Sequence, residues 1–200
     1  MNRLHRLADE LAAHLRDRII TGDIPGGESL AEAGLAQEYG VARPTARTAI
    51  ELLLLDGLVQ KKPHMPAVVS RVPASDIPEI LGLLNISEDF ALERVLRNDP
   101  DVRPLRKLRD ASTYSLLDKL VELAESERLH AVHRRSTYEL LLAQLHLSVT
   151  FVDDGEDRLQ LVEAVMRVDG DAAHTALKRI QQAREHSVVG VAPHVAALAQ

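Results

Sequence analysis

Arg43 and Arg47 stand four residues apart in the stretch ARPTARTAIELLLLDGLV. On a helix that spacing puts both guanidinium groups on one face, where each planar fork can hold guanine O6/N7 or a phosphate. Thr45 and Thr48 lie among them and could add phosphate or thymine-methyl contacts. Further along, Lys61, Lys62 and His64 offer a looser electrostatic grip on phosphates. The alternative chemistry rests on histidines. His130 and His133, three apart, share a helix face, and His174 or His186 arriving from elsewhere could complete a metal site, or Asp157 a catalytic group. No nucleophile motif, phosphate loop or HExxH accompanies them, so the chain reads as a binding protein and not an enzyme.

The composition supports this. The 200 residues are 46% hydrophobic and 27% charged, as in an ordinary globular chain, and contain no Cys. A disulfide framework, a thiolate zinc site and a cysteine nucleophile are thereby excluded, and a reducing, cytoplasmic setting is expected. The N-terminal MNRLHRLADELAAHLRDRII breaks its apolar residues with charge at every third or fourth position, unlike a signal peptide, and no run approaches a membrane span. The net charge of −6 argues against a nucleic-acid partner only until it is divided. Residues 1–72 are neutral and 73–200 carry all of the excess acid, so the first part can still present a basic face.

The elements that must position these side chains follow from periodicity. Leu4, Leu7, Leu11, Leu15 and Ile19 predict an amphipathic helix over 3–21, stopped by the Gly22–Gly27 stretch with its Pro25. Ser29 with Glu32 three residues later reads as a capping box for a short second helix ending near Tyr39. After Gly40, a third helix over 43–56 tolerates Pro44 in its first turn and buries Ala46, Ala49, Ile50, Leu53 and Leu54. Two short runs, 58–61 and 67–71, form a β-hairpin. Residues 72–75 read as a linker, and beyond it only helical patterns occur: 76–97, 102–124 with a break near Ser112–Thr113, 126–150, 156–168 and 171–187, with stops at Asn98–Pro100, Asp153–Gly155 and Asp169–Gly170.

The expected fold is therefore mainly α: a winged helix-turn-helix over 1–72 with a small hairpin, then an all-α bundle over 76–200. In such a head the third helix enters the major groove and the hairpin approaches the flanking backbone or minor groove.

The stretch LRDRIITGDIPGGESLAEAGLAQEYGVARPTARTAIELLLLDGLV resembles the GntR family of bacterial transcription regulators over residues 5–71, with the GDIPGG turn, the L-A-x-x-x-G-V helix pair and the L-x-x-x-G-L-V exit in order. The resemblance implies that Ser29 opens the second helix against phosphate, that Arg43 begins the recognition helix and that Arg47 follows one turn on. Two departures stand out. The proline common at position 45 of the family lies here at Pro44, and the usual wing-tip glycine is Pro66, which lacks an N–H and has a fixed φ.

The second part resembles FCD-type effector domains of the FadR-like branch through helix order, length and LVEAVMRVDGDAAHTALKRI. Such domains often hold a metal with one Asp and three His, which helps to fix a carboxylate effector. Here Asp157 and Ile180 occupy two of the expected His places, and Ser126, with Glu127 adjacent, stands where the Asp belongs before His130. No metal or other cofactor is expected. A small effector could instead be met by Arg94, His130, His133, Arg134 or Tyr138.

The resulting expectation is a cytoplasmic regulator, a repressor, that binds a palindromic double-stranded operator as a homodimer and responds to a small molecule such as a carboxylate; one head reads too few base pairs alone. The alternative is a DNA-binding or protein-interaction module that has lost metal and effector sensing.

Overall fold

The computed structural model describes residues 3–108, 110–147 and 155–189. The chain divides into two compact units, Met1–Pro73 with Tyr138–Ser148, and Ala74–Thr137 with Val149–Gln200. The first division falls between Pro73 and Ala74; the second places residues 138–148 with the head.

The first unit opens with α1, Arg3–Ile20, which buries Ala8, Leu11, Ala12, Leu15 and Ile19 along one stripe. Gly22 ends it with a φ of 87°, a left-handed conformation that a side chain would strain. β1, Ser29–Leu30, then leads into α2, Glu32–Glu38, and a turn through Gly40 leads into α3, Arg43–Leu55. Pro44 lies in the first turn of α3, where no N–H is needed. β2, Val59–Lys61, and β3, Ala67–Val69, pair antiparallel as the wing, and β1 adds to β3 to give the order β1-β3-β2. The hairpin of the sequence is thus a three-stranded sheet.

This third strand corrects the reading of Ser29. Ser29 pairs with Val68 in the sheet, and the N-cap of α2 is Ala31, which supplies no side-chain bond. The capping box with Glu32 is not formed, because the backbone N–H and C=O groups of this segment serve a ladder instead.

Leu11, Leu15, Ile19, Leu35, Ala49, Ile50, Leu53, Leu58 and Val69 share one core, joined by Leu142. Leu142 belongs to α7, Glu127–Leu147, whose residues from 138 onward are counted with this unit.

In the second unit a 3₁₀ turn at Ala74–Asp76 precedes α4, Ile77–Asn98. The expected broken helix is α5, Arg103–Arg106, and α6, Thr113–Leu123, the latter capped by Ser112, whose hydroxyl accepts from the Ser115 N–H. The first part of α7 follows, then α8, Gly155–Met166, and α9, Gly170–Val189. Leu92, Val95, Leu116, Leu120, Leu161, Val165, Leu177 and Ile180 form its apolar core. The predicted end of the long helix at 148–150, Asp153 and Asp154 of the predicted stop, and the last eleven residues lie outside the described residues.

Candidate nucleic-acid interface

The helix that could read bases is fixed from behind. Ala46, Ala49, Ile50 and Leu53 bury one side of α3 against the core. At its end the Asp56 carboxylate is buried and accepts from Arg16 of α1, Nε at 3.0 Å and Nη2 at 2.6 Å, both on Oδ2. The Arg16 guanidinium also lies 5.6 Å from the centre of the Tyr138 ring. A charge-assisted pair at the C-terminal end and apolar packing along its length leave α3 one exposed face.

Arg43 and Arg47 stand on that face. Arg43 is exposed at the first residue of α3, with no ion pair among the described residues, and the Arg47 side chain is 63% exposed one turn later. Thr48 is half-buried. Thr45 departs from the sequence expectation: only 2% of it is exposed, so its side chain packs inward and is not presented to a ligand.

Lys61, at the end of β2, and Lys62, in the loop after it, are exposed, as is His64 at the wing tip. The wing turns through Lys62-Pro63-His64-Met65, closed by a bond from the Met65 N–H to the Lys62 carbonyl at 3.1 Å. Pro63 fixes the second position and His64 takes the third with a φ of 63°, the left-handed place of a type II turn. The residue in the glycine-like conformation is therefore His64, and Pro66 lies beyond the turn.

Ser29 stands apart from this set. It lines a cleft of about 440 Å³ with Arg18, Asp23, Glu28 and Glu38, where three carboxylates oppose an approaching phosphate.

Sequence reasoning missed Glu32 as a member of this face. Its Oε2 accepts from Arg47 Nε at 3.1 Å and its Oε1 from Lys61 Nζ at 3.0 Å. The Lys61 bond, then that of Arg47, holds the Glu32 carboxyl below its usual range. α3 thus carries two exposed arginines, one of them bonded to an acid of the preceding helix, beside a hairpin that bears Lys61, Lys62 and His64.

Residues 7–69 match the family model described as bacterial regulatory proteins, gntR family. The gluconate operon transcriptional repressor of Bacillus licheniformis is 33% identical over 122 residues, which are 55% of this chain and 50% of the relative. The chain thus spans about half the length of the curated relatives it matches. Among solved structures, a GntR protein of Rhodococcus sp. RHA1 superposes with a TM-score of 0.69 at 20% identity, over 92% of this chain and 97% of that one. E. coli McbR/YncC follows with 0.63 at 15% identity and the same coverage. At these identities the two structures support the fold alone: a winged helix-turn-helix head followed by a helical domain.

The helical unit has polar chemistry in its interior. Glu88 of α4 is 0% exposed and receives both arms of Arg184 from α9, Nη1 to Oε1 at 2.7 Å and Nη2 to Oε2 at 2.8 Å. Arg184 Nη2 also reaches Asn85 Oδ1 at 2.7 Å, and Gln181 Nε2 donates to Glu88 Oε2 at 3.2 Å. His133 of α7, 1% exposed, places Nε2 3.5 Å from Glu88 Oε1. Burial pushes the Glu88 carboxyl up, but the charge of Arg184 and the bonds from His133 and Arg184 outweigh it, and the group lies at about 2. His133 Nδ1 and the Thr137 hydroxyl, one turn apart on α7, are buried without a hydrogen-bond partner among the described residues.

Of the five expected effector residues, His133 lies in this interior, and its Nδ1 is 3.9 Å from the Asp118 oxygen that His130 meets. His130 pairs with Asp118 at 3.0 Å, Arg94 donates Nε to the Ala124 carbonyl at 2.8 Å, and Arg134 is half-buried. Tyr138 is counted with the first unit, beside Arg16. His174 and His186 each bond a carbonyl of their own helix, and Asp157 lies 3.7 Å from Arg179. Among the described residues no group of three or more such side chains is placed to hold a metal ion. The same residues contain no helix long and apolar enough to cross a membrane.

Glu88 and Arg184 were visible in principle. Leu81, Leu84, Glu88, Leu92 and Val95 continue one helical stripe, as do Ala173, Leu177, Ile180 and Arg184. A charge in register with buried leucines signals a buried pair.

Proposed function

We propose that this chain is a cytoplasmic transcription regulator of the GntR family, FadR-like branch, whose head reads a palindromic DNA operator and whose FCD-type helical unit takes a small effector. The exposed Arg43 and Arg47 pair on α3 within the gntR match carries this reading. In the bound state α3 lies in the major groove, with Arg43 and Arg47 at base edges or phosphates and Thr48 beside them. Lys61, Lys62 and His64 engage the flanking backbone. Thr45 and Ser29 take no part.

A homodimer gives the twofold operator its second head. Leu83, Ile86 and Phe90, exposed at three- and four-residue intervals on α4, supply an apolar stripe suited to a second copy. Repression as the direction of control is supported by the name of the Bacillus relatives.

The effector is a small carboxylate or similar polar molecule, met by the two unsatisfied groups, His133 Nδ1 and Thr137 Oγ1. Its binding shifts operator affinity through differential affinity for two arrangements of the dimer. The second reading, a regulator without ligand control, is favoured by one observation: Arg184 already holds an internal carboxylate, Glu88.

Selection of bound duplexes from a random library at two salt concentrations tests the first part. Palindromic enrichment is the expected result; salt-sensitive binding without enrichment rejects sequence reading. Thermal shift against sugar acids, beginning with gluconate, and other carboxylates tests the second. A true effector at a hundredfold over its Kd stabilises by about 2.7 kcal/mol, and a panel without a hit supports ligand-independent binding.

A further inference from the structure

Glu32 stands in the first turn of α2 and faces cations from two other elements of the head. Each carboxylate oxygen has one partner, Arg47 from α3 on Oε2 and Lys61 from β2 on Oε1. The Glu32 side chain is 25% exposed, more enclosed than either cation. One acid therefore joins the second helix, the recognition helix and the wing.

For a surface whose only task is to grip a polyanion, this arrangement is unfavourable. A carboxylate between two cations neutralises part of their field and repels an incoming phosphate. Its gain is order. An arginine on an exposed helix face samples many rotamers, and a bond at Nε restricts them while the two Nη groups remain to form the fork that guanine O6/N7 accepts.

We infer that Glu32 is a positioning residue that sets sequence discrimination: it aims the Arg47 fork at a base edge and withholds Arg47 and Lys61 from phosphates, so that sequence-indifferent binding is suppressed relative to operator binding. This rests on the DNA-reading function proposed above. The competing description is a surface ion pair of no functional consequence, which is common for exposed pairs.

The test uses the full chain, the operator duplex recovered by selection and a scrambled duplex of equal length and composition, titrated over a range of salt. With Glu32→Gln, affinity for the scrambled duplex at low salt should rise about threefold to tenfold, and the salt slope should steepen by about 1, because a cation is released to phosphate. The ratio of operator to scrambled affinity should fall at least about fivefold. In an Arg47→Ala background the same substitution should lower that ratio much less, because no fork remains to be aimed and only Lys61 is released. Glu32→Asp, too short to span both partners, should give an intermediate ratio and supplies the same reading should the Gln variant melt early. An unchanged ratio in the single variants, or an equal fall with and without Arg47, overturns this inference alone. A wild-type chain that does not distinguish the two duplexes overturns the DNA-reading function and this inference with it.

Discussion

The two units solve opposite problems with charge. The head keeps an apolar core around Leu15, Ile50, Leu53 and Leu58, places the buried Asp56, paired with Arg16, at the end of α3, and carries Arg43, Arg47, Lys61 and Lys62 on its outside. The helical unit places an acid, an arginine and a histidine inside, next to an equally apolar core. A charge outside is available to a large polyanion and adds little to folding; a charge inside must be paired, and its loss is felt by the whole unit. The difference predicts where substitutions act.

The largest effect is expected at Glu88. Glu88→Ala leaves Arg184 buried without its bidentate partner and strips His133 of its nearest acceptor. The helical unit should lose about 3–5 kcal/mol, as for other buried pairs broken from one side. Hydrogen exchange locates the loss: protection should fall at 77–137 and 155–189 and stay at 3–70. An equal fall in both regions would break the contrast between the units.

Acid should reach the same pair. Glu88 is held below its unfolded value of 4.5, so its contribution is fully present above about pH 4.5 and is lost as pH falls toward about 2. Stability of the helical unit should decline through that window in the wild type, and Glu88→Gln should show a shallower decline. Denaturant titrations at pH 6, 4 and 3 measure this; parallel curves would show that the pair is not what acid attacks.

The contrast also explains what could be read in advance. The head was legible because its determinants are local: glycine stops, Pro44 in a first turn and apolar stripes at three- and four-residue spacing are all set within a few residues. What escaped there was set over longer distances. β1 forms only when Ser29 meets Val68, and Glu32 meets Arg47 and Lys61 fifteen and twenty-nine residues away. In the helical unit the helices were legible from periodicity, but Glu88 and Arg184 lie 96 residues apart. No local pattern pairs them, so Arg94 and Arg134 were singled out as candidates in place of Arg184, although its register with buried leucines was available.

Arg47→Ala sharpens the contrast from the other side. Operator affinity should fall by about 1–3 kcal/mol, with selection relaxed at one base position. Folding stability should change by no more than about 0.5 kcal/mol, since Arg47 is exposed and its ion pair with Glu32 lies at the surface. Paired measurement of binding and melting on this variant and on Glu88→Ala should give opposite profiles. Loss of stability with Arg47→Ala, or unchanged operator affinity, would remove Arg47 from the reading face.

The smallest effect is expected at the wing tip, where local backbone and function can be separated. His64 holds a left-handed φ of 63° in a turn already fixed by Pro63. A side chain in that conformation costs about 1–2 kcal/mol, while glycine gives back about 0.5–1 kcal/mol through its freer unfolded chain. His64→Gly should therefore stabilise the head by about 0.5–1 kcal/mol. The same substitution removes an exposed imidazole from the wing tip. A more stable head with weaker binding to all duplexes alike would show that the strained conformation is kept for a backbone contact, in keeping with charge on the outside serving the ligand and not the fold. A more stable head with unchanged binding would confine the outer face to α3, Lys61 and Lys62.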